Sequence, residues 1–318
     1  MMAAQDHRPP PPHVPVLLRE TLELLQPTST GRYVDGTLGD GGHAEAVLET
    51  SSPSGRLLGL DWDGDARARA RSRLARFGDR ARIEAASYAD LGQFVDSLGW
   101  DGADGILVDL GVSSQQLDDP ERGFSFSRRG PLDMRMDRDR TRDAARWLRE
   151  TTEGELVRVL RAYGEEPRAR RIANAILAAE RRGELTDTLA LVGVVGRVVG
   201  RSTTHHPATR TFQALRIAVN DELGELERFL RDAYRWLRPG GRLVILAYHS
   251  LEDRLVKHAF RLWARSCLCP RSAPVCRCGW TRKARLLTTR AVRPSPAETA
   301  ANPRSRSARL RAVERIAA

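Results

Sequence analysis

Along the chain, short apolar runs flanked by Gly, Pro or Asp alternate with stretches in which apolar positions return every three or four residues. The first kind predicts strands at 32–35, 56–61, 82–86, 105–109 and 242–248, and two further β-like runs, 286–292 and 309–313, are placed to close the sheet. The second kind predicts helices at 44–49 and 65–77, the latter with arginines on its wet face. Strands alternating with helices indicate a mostly parallel sheet covered on both faces, an α/β fold.

The alternation stops after the fourth strand. From Gly111 to Gly241 no strand is predicted, a span far longer than one crossover helix. Thr152 and Glu155 form a capping-box pattern ahead of Leu156, Val159 and Leu160; Ile172, Ile176 and Leu177 make a second apolar stripe closed by Gly183; Thr186 opens an apolar helix that runs to Val199. A helical subdomain over 119–207 is therefore expected, inserted in a discontinuous sheet domain formed by 13–118 and 208–318, with a long helix at 211–237 leading back to the sheet. Residues 1–12, with four consecutive prolines, read as a disordered leader.

Of 318 residues, 41% are hydrophobic and 29% charged, a composition that supports folded cores. The longest uncharged apolar stretch, Leu189 to Gly196, falls far short of the ~20 residues a membrane span requires. The first residues contain no apolar export signal, so a cytoplasmic protein without membrane contact is expected. Net charge is +11, and the last 52 residues hold 12 Lys or Arg against 2 Glu, which places nearly all the excess there. Arginine abundance alone reflects coding bias, since lysine occurs only at Lys257 and Lys283. Its concentration late in the chain points to a polyanionic partner.

Candidate chemistry begins in the loop after the first strand, Asp35-Gly-Thr-Leu-Gly-Asp-Gly-Gly-His43, with Asp61 ending the second strand 20 residues beyond Gly41. Glycines let backbone turn tightly against a ligand, and an acid at that spacing accepts hydrogen bonds from ribose hydroxyls, so a nucleoside cofactor is implied. Gly39, Gly41 and Ala44 also fit a dinucleotide fingerprint, which keeps a nicotinamide oxidoreductase as an alternative. Asp35 and Asp109 favour S-adenosylmethionine, because carboxylates attract a sulfonium and an ammonium but repel a pyrophosphate.

Further motifs follow in one order: HVPVLLRE at 13–20, DLGVSSQQLDD at 109–119, GFSFSRRGPLDMRMD at 123–137, HPATRTFQALRIAVNDEL at 206–223, PGGRLVILAYHSLEDRLVK at 239–257 and NPRSRSARLRAVERI at 302–316. Together with DGTLGDGGH, this series resembles the bacterial ribosomal RNA methyltransferases that methylate the exocyclic N4 of a cytosine in the small-subunit decoding region. The resemblance covers nearly the whole chain. It implies a class I methyltransferase fold, Rossmann-like, with an inserted helical subdomain. It also implies S-adenosylmethionine as donor, and small-subunit (16S) ribosomal RNA or the assembling small subunit as acceptor.

Carried over by motif, the donor-binding positions would be Gly41, Gly42, His43, Asp61, Tyr88, Asp109 and Gln116. Gln115 and Tyr88 stand where the family often has Pro and Phe, substitutions that keep the site's shape. The acidic-or-amide, Pro-Pro-aromatic motif of many amino-methyltransferases is replaced by Asp109-Leu-Gly-Val. A cytosine amine gives its lone pair to the ring, so methyl transfer needs an acceptor that polarises an N–H bond. Asp109 is the first candidate, either as that acceptor or as a donor-binding group alone, with His249 and Asp253 behind it. Phe124, Phe126 and Tyr248 are candidates to sandwich an extruded base. A non-catalytic RNA-binding protein is the remaining alternative.

All four cysteines, Cys267, Cys269, Cys276 and Cys278, form two C-x-C pairs. Four thiols this close could hold zinc, although zinc ribbons favour C-x₂-C, and unligated thiols are the other reading. With Arg271, Arg277, Arg282, Lys283, Arg285 and Trp280 around them, they would make a basic knuckle suited to RNA.

Overall fold

The computed structural model describes residues 15–200, 206–270, 273 and 275–317, so the expected leader lies outside it. The strands are β1 (Arg32–Asp35), β2 (Arg56–Asp61), β3 (Ala81–Ala85), β4 (Ala103–Asp109), β5 (Leu237–Ala247), β6 (Ala284–Leu286) and β7 (Arg309–Arg315). They form one sheet in the order β3-β2-β1-β4-β5-β7-β6. β1 to β5 run parallel, and β7 lies antiparallel to both β5 and β6.

Successive residues of the central strands point to opposite faces and feed two cores. Val34, Leu58, Ile106 and Ile245 pack on one side, while Tyr33, Leu57, Leu107 and Val244 pack on the other. The helices α1 (Leu18–Leu25), α2 (Gly42–Thr50) and α3 (Gly64–Leu74) cover the second face. The first face lies beneath α4 (Leu91–Ser97), then, beyond α5 (Ser114–Asp118) and the inserted helices, α11 (Glu222–Asp232) and α12 (Ser250–Trp263). The inserted helices α6 (Ala144–Glu150), α7 (Glu153–Ala162), α8 (Ala169–Arg181), α9 (Thr188–Val199) and α10 (Thr209–Asn220) surround a third core containing Trp147, Leu160, Ile176 and Val195. α13 (Pro296–Ala301) precedes β7. Among the described residues, no helix is long and apolar enough to cross a membrane.

Several elements differ from expectation. The helix expected over 211–237 is two helices, because Asp221 takes a left-handed conformation, φ 54° and ψ 36°, between α10 and α11. Asn220 explains the break. Its side chain accepts from Met136 N–H at 2.8 Å and donates to Met134 O at 2.7 Å, which fixes the end of α10 against the 134–136 segment. The helical core also continues through Ala208, Phe212, Leu215 and Val219, past the boundary expected at 207. The run at 286–292 is strand only as far as Leu286, with a single bridge from Val292 to Leu310. Thr152 does cap α7, accepting from Glu155 N–H, but the Glu155 carboxylate is held by Thr151 Oγ1 at 3.2 Å.

Candidate active site

At the carboxyl ends of β1, β2 and β4, where parallel sheets of this kind bind ligands, lies a cavity of about 560 Å³. Its wall includes Gly42, His43, Asp61, Tyr88, Asp109 and Gln116. After β1 the chain turns through Gly39 and Gly41, at φ 51° and 78°, a region L side chains rarely adopt, and enters α2. Gly41 caps α2 without lining the cavity, so its part is to shape the turn. Gly42 allows a close approach: a Cβ there would lie 2.6 Å from the Pro15 ring. His43 is buried, with Nε2 3.1 Å from Val16 O and Nδ1 3.8 Å from an Asp109 carboxylate oxygen.

Asp61 is oriented by backbone. One oxygen accepts from Gly39 N–H at 2.7 Å and the other from Asp63 N–H at 2.8 Å, which leaves a lone pair on each for a ligand. Burial pushes its carboxyl pKa up, and those two hydrogen bonds pull it back. Asp63, two residues on, supports the site from behind. Its Oδ1 accepts from Asp65 and Ala66 N–H to cap α3, while Oδ2 receives the Gln116 amide at 2.9 Å and buried Arg122 at 2.5 Å. Burial opposes the Asp63 charge, but the bonds from Arg122 and Gln116 outweigh it, and its pKa lies below the ordinary value. Gln116 is thus committed to a structural bond, and its Oε1 accepts from Ser113 N–H in a capping box on α5.

Asp109 ends β4. Its backbone N–H donates to Thr37 Oγ1 at 2.6 Å, and its Oδ1 accepts from Tyr248 Oη at 2.9 Å. Burial raises the Asp109 carboxyl to about 7 against the Tyr248 hydrogen bond, and the Glu252 charge adds to the rise. Neighbouring Asp35 is also raised to about 7 by burial, partly offset by Thr37 N–H. Burial and the Asp109 charge keep the Tyr248 phenol well above its usual value. Tyr88 packs edge-on to Phe229, ring centroids 5.3 Å apart.

Other candidates take different places. His249 is the N-cap of α12, its Nδ1 accepting from Glu252 N–H at 3.4 Å, and it does not line the cavity. Its Nε2 is buried 3.1 Å from Glu252 Oε1 without hydrogen-bond geometry. Asp253 is held by Arg309 and Arg311. Phe124 packs in the helical core, and Phe126 stacks on His206 at 4.6 Å, so of the three expected aromatics only Tyr248 reaches the cavity. The four cysteines gather beyond the far end of α12.

Sequence reasoning did not find Asp63, Arg122, Asn220, Trp62 or the Arg216–Glu222 pair, which is bidentate at 2.8 and 2.9 Å in the cavity wall. Trp62 lines the cavity beneath the Arg140 guanidinium, 3.8 Å from its ring centroid. All these residues except Asp63, Trp62, Arg122 and Arg140 stood inside a quoted motif, but only their contacts reveal what they do.

The strand order with its reversed seventh strand, and an acidic cavity at the carboxyl edge, define a class I methyltransferase fold. Residues 11–316 match the MraW methylase family, and the chain belongs to that family. It is 51% identical over 308 residues to the ribosomal RNA small subunit methyltransferase H of Nitratidesulfovibrio vulgaris (strain DP4), covering 96% of this chain and 95% of that one. Proteins of the same name from Symbiobacterium thermophilum and Thermomicrobium roseum are 51% and 52% identical, each over 96% of this chain and over 97% and 94% of theirs.

Proposed function

We propose that this protein is a cytoplasmic enzyme that methylates the exocyclic N4 of a cytosine in the decoding region of small-subunit (16S) ribosomal RNA, with S-adenosylmethionine as donor. The observation that carries the reading is the pair of carboxylates, Asp61 and Asp109, in the cavity wall at the ends of β2 and β4, with Asp35 buried at the end of β1, in a chain of this family. They suit a cationic nucleoside and disfavour the pyrophosphate of a nicotinamide cofactor. The cavity's volume is within the range of small-molecule sites.

Bound donor supplies an activated methyl group; the chain supplies its placement. Asp61, held by Gly39 and Asp63, receives the ribose hydroxyls, and Gly39, Gly42, His43 and Tyr88 wall the nucleoside, with Gly41 shaping the turn. Asp109, steadied by Tyr248, would take a hydrogen bond from the cytosine N4 amine, drawing electron density toward nitrogen, and its carboxylate would accept the N4 proton as the methyl carbon leaves sulfur for nitrogen. The basic surface late in the chain meets RNA phosphates, although part is neutralised internally: Arg304 pairs with Asp118, and Arg309 and Arg311 with Asp253.

Mass spectrometry of ribosomal RNA nucleosides from cells with and without the gene tests the reaction: N4-methylated cytidine should disappear without it, and its persistence would rule the reading out. A second expectation concerns the donor. Asp61→Ala should weaken S-adenosylmethionine binding tenfold or more, about 1.5 to 3 kcal/mol for a charge-assisted hydrogen bond. Calorimetry finding NAD bound and S-adenosylmethionine ignored would return the oxidoreductase alternative.

A further inference from the structure

The cysteine loop stands apart from the cavity. α12 begins at Ser250, beside Tyr248, and its 14 residues carry the chain about 20 Å away before the loop starts. Between Trp263 and Ala284 the described residues form neither helix nor strand, and the cysteines are half-exposed or exposed, so apolar burial does not hold this segment.

The sulfurs nevertheless converge. All four lie within 4.8 Å of one another, with Cys267 Sγ 3.3 Å from that of Cys276 and 3.7 Å from that of Cys278, and Cys276 3.6 Å from Cys278. The two C-x-C arms interlock through reciprocal bonds: Leu268 N–H donates to Cys278 Sγ at 3.3 Å, and Arg277 N–H to Cys269 Sγ at 3.4 Å. At the neck, Lys283 N–H donates to Trp263 O at 2.8 Å and Trp280 Nε1–H to Arg265 O at 3.0 Å.

These spacings discriminate between chemistries. A disulfide would bring two sulfurs to about 2.05 Å. A multi-iron cluster sets its cysteines on separate iron atoms, and so farther apart than ligands sharing one ion. Four thiolates about 2.3 Å from a single zinc stand about 3.8 Å from each other in a tetrahedron, close to the distances found here. Backbone N–H groups aimed at the sulfurs, and the cationic Arg265, Arg277, Arg282 and Lys283 in the same loop, offset the negative charge of such a centre.

We propose that Cys267, Cys269, Cys276 and Cys278 bind one zinc ion as a closed tetrathiolate that locks the 264–283 loop and takes no part in catalysis. With four protein ligands the ion has no open position. The metal substitutes for the missing core as the clip that fixes the link between α12 and β6.

The untagged full-length protein, purified under reducing conditions without chelator, should contain one zinc per chain by elemental analysis. The Cys276→Ser/Cys278→Ser variant should contain less than a tenth of that. Cobalt(II) added to the chelated wild type should give the sulfur-to-metal charge-transfer absorption of a tetrahedral thiolate site, and zinc should displace it at one equivalent. Protease should cut the chelated chain within 264–283 at least tenfold faster than the zinc-loaded one. Zinc retained by the double variant, no metal taken up by the wild type, or iron in place of zinc, with or without acid-labile sulfide, would each overturn the assignment. The wild-type titration decides the matter even if the variant does not fold, and no arm depends on the donor or the RNA.

Discussion

Replacing Asp109 with Asn is expected to lower single-turnover methyl transfer to small-subunit RNA roughly 10²-fold to 10⁴-fold, the range for a positioned acid or base. S-adenosylmethionine affinity should change much less. The substitution keeps the shape at the end of β4 and removes the charge. Burial sets the position of the pH dependence, because it raises the carboxyl to about 7. Only the ionised form can take the amine proton, so the wild-type rate should fall as pH drops through about 7 and level off above it. The Asn variant should show no such step. Tyr248→Phe removes the hydrogen bond that favours the ionised form, so its profile should move to higher pH. If saturating donor restores turnover to the Asn variant, Asp109 binds the donor and does not activate the amine.

Asp63→Ala should be the most destabilising single change near the site. The Arg122–Asp63 pair is almost wholly enclosed, with side chains 4% and 3% exposed. Removing the carboxylate strands a buried guanidinium at a cost of about 3 to 5 kcal/mol. A loss of that size lowers the melting temperature by roughly 10 °C. Adding Arg122→Met should recover part of the loss, since the orphaned charge goes with it. Calorimetric melting that differs from wild type by a degree or less would show that the pair is not what holds the β2 end to the 119–136 segment.

The parallel sheet was legible because its central strands are apolar on both faces and punctuated by Gly and Asp. Asp61 and Asp109 were legible because each ends such a run. The break at Asp221 was hidden: periodicity continues smoothly from α10 into α11, and the cause is the Asn220 side chain, which accepts from Met136 N–H and donates to Met134 O in a segment more than 80 residues away. Arg122 was hidden for the same reason, as a surface-type residue made interior by one distant carboxylate. The full-length run expected at 286–292 failed because β7 pairs with Leu286 at its start and, by an isolated bridge, with Val292 at its end, a matter of register that local composition does not encode. Deleting everything after Cys267 would therefore be a poor probe of RNA binding. It removes two strands along with the basic surface.

The cavity joins parts of the chain made at very different times. Pro15 and Val16 share its wall with Asn302, Arg304 and Ser307, and Leu17 N–H donates to Glu298 across 281 positions. During synthesis, the glycine turn, Asp61 and Asp109 all emerge well before that wall exists, and β6 waits for residues 309–315 before it gains a partner. A nascent chain halted near residue 290 would carry every carboxylate of the site yet hold the donor in an open trough. The cavity is thus completed only by residues made at the end of synthesis, long after its carboxylates are in place.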